Sequence, residues 1–296
     1  MGAVKIFNRS KGLNTKDDPA RIDDNELSIA VNVDVSPEGR ISRRKGYSSI
    51  FDSGCHSLFS AGDYMLAVVS GKLSMVEKDG TISVVTDVVD SHTIRYQMVG
   101  PVVYGISPSI KFIIKDKIFY PWVVGENNGV TTDRQFYAPP YGQLIAHHSS
   151  RLYIADGSVA YFSEPFRYDL FELFPGHIPF GRRLSLMAPV ADGMWYADNR
   201  DAYFISGMDP AKDIVMRKFS GAGAAEGTGI LIPGEKVGSG RMAGSNVVAW
   251  CGKSICIGGP GGYLKNISGE KLELPNASTG SGYYHDGRLM FCLHSY

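Results

Sequence analysis

A short hairpin recurs along this chain, and a sequence that repeats one supersecondary unit is restricted to repeat architectures. Its clearest copy lies in RLYIADGSVAYFSEPFRYDLFELF, residues 151–174. Arg151 to Ala155 is apolar and β-prone, Asp156-Gly157-Ser158 has turn chemistry, and Val159 to Ser163 runs back. Asp-Gly between two such runs is a strong short-range hairpin signal. Looser copies are DYMLAVVSGKLSMV (63–76), GMWYADNRDAYFIS (193–206), SNVVAWCGKSICIG (245–258) and DGRLMFCL (286–293). PVVYGISPSIKFII (101–114) has a weaker turn around Ser107-Pro108.

Each hairpin follows a short β-prone run: CHSLFSA (55–61), HTIRYQMV (92–99), GQLIAHHS (142–149), LSLMAPVA (184–191), GRMAG (240–244) and GYYHD (282–286). An outer strand often comes after it, in TISVVTDV (81–88), KIFYPWVV (117–124), DIVMRKFS (213–220) and KLELP (271–275). Hairpin starts near 63, 101, 151, 194, 246 and 287 are 38, 50, 43, 52 and 41 residues apart. Four-stranded propeller blades repeat at about 40–50 residues. The fold class expected is all-β, a β-propeller. No helical period of useful length occurs, and 167–174 holds at most one or two helical turns.

The last unit stops at Tyr296 with two strands. Leu27 to Val35 alternates with period two, placing Leu27, Ile29, Val31 and Val33 on one face as a half-buried strand. Ser36 to Gly39 is a turn, and Arg40 to Tyr47 returns. Joining these two strands to the last hairpin closes a six-bladed ring and removes sheet edges. A five-bladed ring, with the 92–124 unit absorbed elsewhere, is the alternative. Residues 1–26 are polar and read as an arm ordered against a neighbour or the body; 27–296 is one domain.

Composition narrows the function. Lys+Arg and Asp+Glu are both 30, so the chain has no global pull towards nucleic acid, anionic membrane or acidic substrate. The 35 glycines and 15 prolines punctuate short runs, as in a turn-rich β protein. No apolar segment approaches the roughly 18 residues of a membrane span, and MGAVKIFNRSKG has no signal-peptide core, so no membrane insertion is expected. Cys55, Cys251, Cys256 and Cys292 are too few and scattered for a disulfide scaffold.

Site motifs are weak. Cys251-Gly-Lys-Ser254 ends like a phosphate loop, but Val247 stands where the first glycine belongs, and no strand-to-helix transition follows. The glycine runs at 221–227 and 257–262 miss dinucleotide-loop spacing and read as loops. Cys251 and Cys256 share a face as diagonal neighbours if the turn is Gly252-Lys253; without further Cys or His at metal spacing they read as structural thiols. His147-His148 sends one ring to each face of a strand. Asp63, Asp156, Asp192, Asp198 and Asp201 sit at turns, and apart from Asp286 the inner runs lack acids, so no glycosidase-like carboxylate pair is expected. No catalytic residue, cofactor or metal site is assigned.

Two clusters remain. Arg40, Arg43, Arg44 and Lys45 form the densest basic run, either a contact to DNA phosphates or an acidic subunit, or a solvated outer strand protected by charge. The loop 164–181 carries Phe166, Tyr168, Phe171, Phe174 and Phe180, flanked by Arg167, Arg182 and Arg183. These rings either cover the end of the propeller or form a protein interface.

The segment GLNTKDDPARIDDNELSIAVNVDVSPEGRISRRKGY (12–47) has the skeleton G-L-N, E-L, A-x-N-x-D and G-x-I-x-R-R-x-G-Y. It resembles the opening of propeller-type tail hub, nozzle and head-completion proteins of short-tailed double-stranded DNA phages. The YFSEP of 161–165, before an aromatic and acidic loop, is a second likeness, and together the two cover about a fifth of the chain. Lys45 stands where a proline commonly precedes Gly-Tyr, and the large insertions of longer members are missing. The resemblance implies a virion structural protein made in the bacterial cytoplasm and placed in the tail. It implies a homo-oligomeric ring, hexameric in such families, against portal or adaptor and other tail proteins. DNA would pass through without sequence-specific binding, and no active site is implied. Rival readings are a glycan-binding or glycan-cleaving receptor-recognition propeller, and an intracellular scaffold like the WD-repeat proteins, whose Gly-His and Trp-Asp signatures are absent.

Overall fold

Turn chemistry and period-two patterning set the architecture, seen in a computed structural model. It describes residues 11–36, 40–46, 54–87, 92–126, 134–174, 176–207, 209–212, 214–237, 245–269, 271–285 and 288–294. Strands β1 (Val33–Val35) and β2 (Ile41–Arg43) pair antiparallel as a small sheet. Four-stranded antiparallel meanders follow. The first is β3 (Cys55–Ser60), β4 (Tyr64–Val69), β5 (Lys72–Glu77) and β6 (Ile82–Asp87). The second is β7 (Arg95–Val99), β8 (Val102–Ile106), β9 (Lys111–Lys115) and β10 (Ile118–Pro121). The third is β11 (Leu144–His148), β12 (Arg151–Asp156), β13 (Val159–Glu164) and β14 (Arg167–Phe171), with β15 (His177–Pro179) also pairing β13. The fourth is β16 (Leu186–Val190), β17 (Gly193–Ala197), β18 (Asp201–Ser206) and β19 (Val215–Ser220). The fifth is β20 (Ile230–Pro233), β21 (Asn246–Cys251), β22 (Ile255–Gly258) and β23 (Leu264–Asn266). The sixth holds β24 (Thr279–His285) and β25 (Arg288–His294).

Alternation along each strand feeds two interlayers, and this makes the array a β-propeller. In β12, Leu152 and Ile154 pack with Tyr104, Ile106 and Trp122 of the second sheet and its exit. Tyr153 and Ala155 face Met187, Met194 and Tyr196 of the fourth. Leu66, Val68, Leu73 and Met75 meet Val103, Phe112 and Ile114 between the first and second sheets. Trp195 and Phe204 meet Val248, Trp250 and Cys256 between the fourth and fifth. Tyr284, Leu289 and Phe291 cover Ile232, Val247, Ala249 and Ile257 between the fifth and sixth. Packing is close enough to demand glycine at 258, where a Cβ would stand 2.7 Å from the Trp195 indole and 2.8 Å from that of Trp250.

The weak 92–124 unit is a complete sheet, so it needs no other home. Several boundaries differ from expectation. The fifth sheet opens on β20, whereas GRMAG (240–244) lies outside the described residues. KLELP (271–275) is not a strand; β23 is the fifth sheet's outer strand. Residues 167–171 are β14 and not a helical turn.

The N-terminal strands depart most. Leu27 makes an isolated bridge with Leu13, while Ile29 and Val31 are 75% and 77% exposed, so alternation there does not mark a buried strand. Pairing starts at Val33, and the returning strand is Ile41–Arg43 rather than 40–47. Pro37 to Gly39 and Tyr47 lie outside the described residues. Among the described residues β1 and β2 pair with each other and with no strand of the sixth sheet; the link is an ion pair, Arg288 Nη1 to Asp34 Oδ2 at 2.9 Å. The arm itself is anchored. Thr15 N donates to Lys271 O at 2.8 Å, and buried Glu26 takes Lys271 Nζ at 2.7 Å and Asn14 Nδ2 at 2.9 Å.

Candidate protein interface

Half of the segment expected as an aromatic loop is strand, because two carboxylates and a tight turn fold it back on its own sheet. Glu164 pairs with Arg167 across Pro165 and Phe166, and Phe166 takes φ 58. Proline presets the first turn position, while a left-handed second position is ordinarily given to glycine or asparagine. Phe166 N donates to Ser150 O at 2.8 Å, and Ser149 and Ser150 also have positive φ, 47 and 63. Three residues in sparsely populated backbone states therefore meet at one corner of the third sheet, as strained positions do at working surfaces.

An ion network underlies that corner. Arg134 bridges Glu164 and Glu172, its Nε lying 3.1 Å from Glu172 Oε2. Buried Arg151 donates to Ser163 O at 2.7 Å and to Asp209 Oδ1 at 3.1 Å, and its guanidinium lies over the Phe162 ring. Burial alone would push the Asp209 carboxyl up, but the Ala211 amide and the charges of Arg151 and Lys212 hold it below the usual value. Glu164 and Glu172 bracket β14, so Arg134 clamps both ends of that strand.

The five aromatic candidates divide. Phe171 is fully buried against the second sheet's face, and Tyr168 packs there too, its OH 3.2 Å from His147 Nε2. Phe180 lies against Tyr196 and Tyr203, with centroids 4.9 and 5.5 Å away. These three pack against neighbouring sheets of their own chain, which corrects Phe171 as an interface contact. Phe166 and Phe174 remain outside, 77% and 83% exposed, each two residues beyond a carboxylate held by Arg134. Arg182 and Arg183 are exposed, Arg183 Nη2 reaching Glu226 Oε2 at 3.2 Å. The basic run Arg40, Arg43, Arg44 and Lys45 is exposed on and beside β2, with Arg44 at 3.4 Å from Asp34.

Other motifs resolve structurally. The turn between β21 and β22 is Gly252-Lys253-Ser254, one residue longer than the diagonal pairing requires. Trp250 opposes Cys256 and Cys251 opposes Ile255, so Cys251 and Cys256 fall on opposite faces. Burial pushes Cys251 up to about 11 and raises Cys256 as well, so neither is a ready thiolate. His147 faces the second sheet, while His148 lines a cavity of about 10 Å³ with Tyr153, Met194 and Tyr196. Asp198 accepts from the Arg200 and Asp201 amides, as a turn aspartate does. Asp286 lies outside the described residues, among which no cluster of three or more His, Cys, Asp or Glu is placed to hold a metal. No helix among them is long and apolar enough to cross a membrane.

No family model matches this chain, and no curated protein matches it by sequence. Solved structures resemble it in fold. A streptogramin B lyase shares 12% identity over 84% of this chain and 86% of its own, with a TM-score of 0.50. Virginiamycin B lyase from Staphylococcus aureus shares 12% identity over 78% of this chain and 73% of its own, with a TM-score of 0.47. PorZ of Porphyromonas gingivalis gives 11% identity and a TM-score of 0.45 over 77% of this chain, which spans 28% of its length. At such identities the likeness is one of fold, and the proteins sharing it include enzymes.

Proposed function

We propose that this chain is a structural protein of a phage virion, a ring-forming tail hub, nozzle or head-to-tail adaptor component that extends the DNA channel. The observation that carries the reading is the ordered skeleton of residues 12–47, whose G-L-N to R-R-x-G-Y run resembles the opening of such proteins. The work of such a component is mechanical: it closes the head, holds the genome and passes it on during infection. A propeller with tight interlayers suits that work, and zero net charge suits a conduit that must not grip its cargo. On this reading the protein is not an enzyme, Phe166 and Phe174 are subunit contacts, and the ring is hexameric as in the resembling families.

Mass spectrometry and electron microscopy of the source particle test it. The expected result is this chain in purified virions at a ring's copy number, located between head and tail tip. Its absence from purified particles overturns the reading, as does sugar release from bacterial surface polysaccharide that is lost on changing one carboxylate.

A further inference from the structure

The first strands of the sheets line the axis of the propeller, with β11 beside both β7 and β16, and β20 beside β24. Around a propeller such strands run the same way, so the residues that open them gather at one end of the axis. Charged side chains from three sheets meet there. Arg95 opens β7, while Arg183 and Glu226 lie just ahead of β16 and β20. Arg95 Nη2 stands 3.9 Å from Glu226 Oε1, and Arg183 Nη2 stands 3.2 Å from Glu226 Oε2. The sixth sheet closes on the same point, for Glu226 N donates to Ser278 O and Gly280 N to Glu226 O, both at 2.8 Å. The fit is tight: a Cβ at Gly227 would stand 2.2 Å from Gly280 O and 3.0 Å from Arg95 Nη2.

Arg95 is poorly served by its own chain. At 3.9 Å Glu226 is a charge partner but not a hydrogen-bond acceptor, and the buried Nε of Arg95 has no partner among the described residues. A guanidinium carries five N–H donors in a rigid fork that matches a pair of oxygens. The Arg95 side chain is only 28% exposed, and leaving such donors unmade is costly. Glu226 is the charge that opposes the cost of burying Arg95, yet it also serves Arg183. This cluster therefore has one cation in excess.

We propose that this end of the axis binds a small monoanionic carboxylate, received in the fork of Arg95 with Arg183 as the second cation. One such group cancels the excess charge, and its two oxygens take donors that Glu226 leaves unmet. Glu226 competes for both arginines, so it limits the affinity. A dianionic phosphate would set a second negative charge beside Glu226 and bind more weakly. The site lies within one chain and does not depend on the virion reading.

The full-length chain is titrated with acetate at constant ionic strength, chloride being exchanged for it, and the assigned Nε–H signal of Arg95 is followed by nuclear magnetic resonance. A saturable shift is expected. Affinity should rise about threefold or more in Glu226→Gln and fall about threefold or more in Arg183→Gln, the size of a partly exposed charge interaction. Arg183 is more than half exposed, so that variant keeps its fold. Arg40→Gln, in the exposed basic run, should leave the affinity unchanged. A shift that never saturates, or one that neither Glu226→Gln nor Arg183→Gln alters, overturns the site. Inorganic phosphate binding more tightly than acetate overturns the choice of a carboxylate.

Discussion

The ring of Phe171 meets the indole of Trp122 edge-on, with centroids 6.4 Å apart, inside the layer between the second and third sheets. The indole N–H of Trp122 donates to the Tyr168 carbonyl at 3.2 Å, so this pair fixes β14 to the preceding sheet.

Phe171 and Phe174 therefore behave differently when changed to serine. Phe171→Ser leaves a cavity and a buried hydroxyl, and is expected to cost about 3–5 kcal/mol by denaturant melt. Phe174→Ser is expected to keep the monomer's melting point, as is Phe166→Ser, and, on the virion reading, to lower incorporation into particles. A Phe174→Ser chain that melts normally and incorporates fully counts against the interface.

Arg134 serves two carboxylates, so removing it takes a cation from both Glu164 and Glu172, while Glu164 keeps Arg151 at 4.0 Å. Because the side chain is about a third exposed, the loss in Arg134→Gln is expected to be modest, about 1 kcal/mol. Hydrogen exchange supplies the sharper readout. Protection falls in 164–174 and stays unchanged in the fifth sheet.

Burial lowers the affinity of His148 for a proton, and the neighbouring charge of His147 adds to this against the opposing pull of Asp192 and the Gly207 backbone. Burial acts on His147 in the same direction. The unfolded chain then takes up protons first. Stability is complete above the ordinary histidine value of 6.5 and declines as pH falls through it towards the depressed native values. Melting temperature measured from pH 7.5 to 5 should drop, and the drop should be shallower in His148→Gln.

Glu26 anchors the arm through Lys271 and Asn14, which together hold its carboxyl below the usual range. Glu26→Ala is expected to free residues 11–27 without melting the sheets. Brief trypsin treatment should then cut at Lys16 or Arg21 many times faster than in the parent, while the body keeps its melting point.

Hairpins were the most readable part of the chain, since Asp156-Gly157-Ser158 gives a two-residue connection with Gly157 at φ 56. The connections Asp116-Lys117 and Ser149-Ser150 both have positive φ without glycine, so their Asp and Ser suggest a turn but nothing announces its left-handed backbone. Phe166 misled for the same reason. A phenylalanine in a left-handed turn carries no sequence signal, and the rings after it looked like loop residues when two of them, Tyr168 and Phe171, belong to a strand. Alternation at Leu27 to Val33 misled in the opposite sense, for a period of two shows which side chains share a face but not that anything covers it. The clamp of Arg134 was invisible, because its carboxylates lie 30 and 38 residues away.

Each apolar layer joins sheets that follow one another in the chain, and this sets an order of assembly during synthesis. A sheet can settle on its predecessor as soon as its own strands leave the ribosome, without waiting for distant segments. The arm is the exception. Thr15 and Glu26 depend on Lys271, so a segment made well before the sheets is among the last to find its seat, and it waits unseated until the fifth sheet has been made.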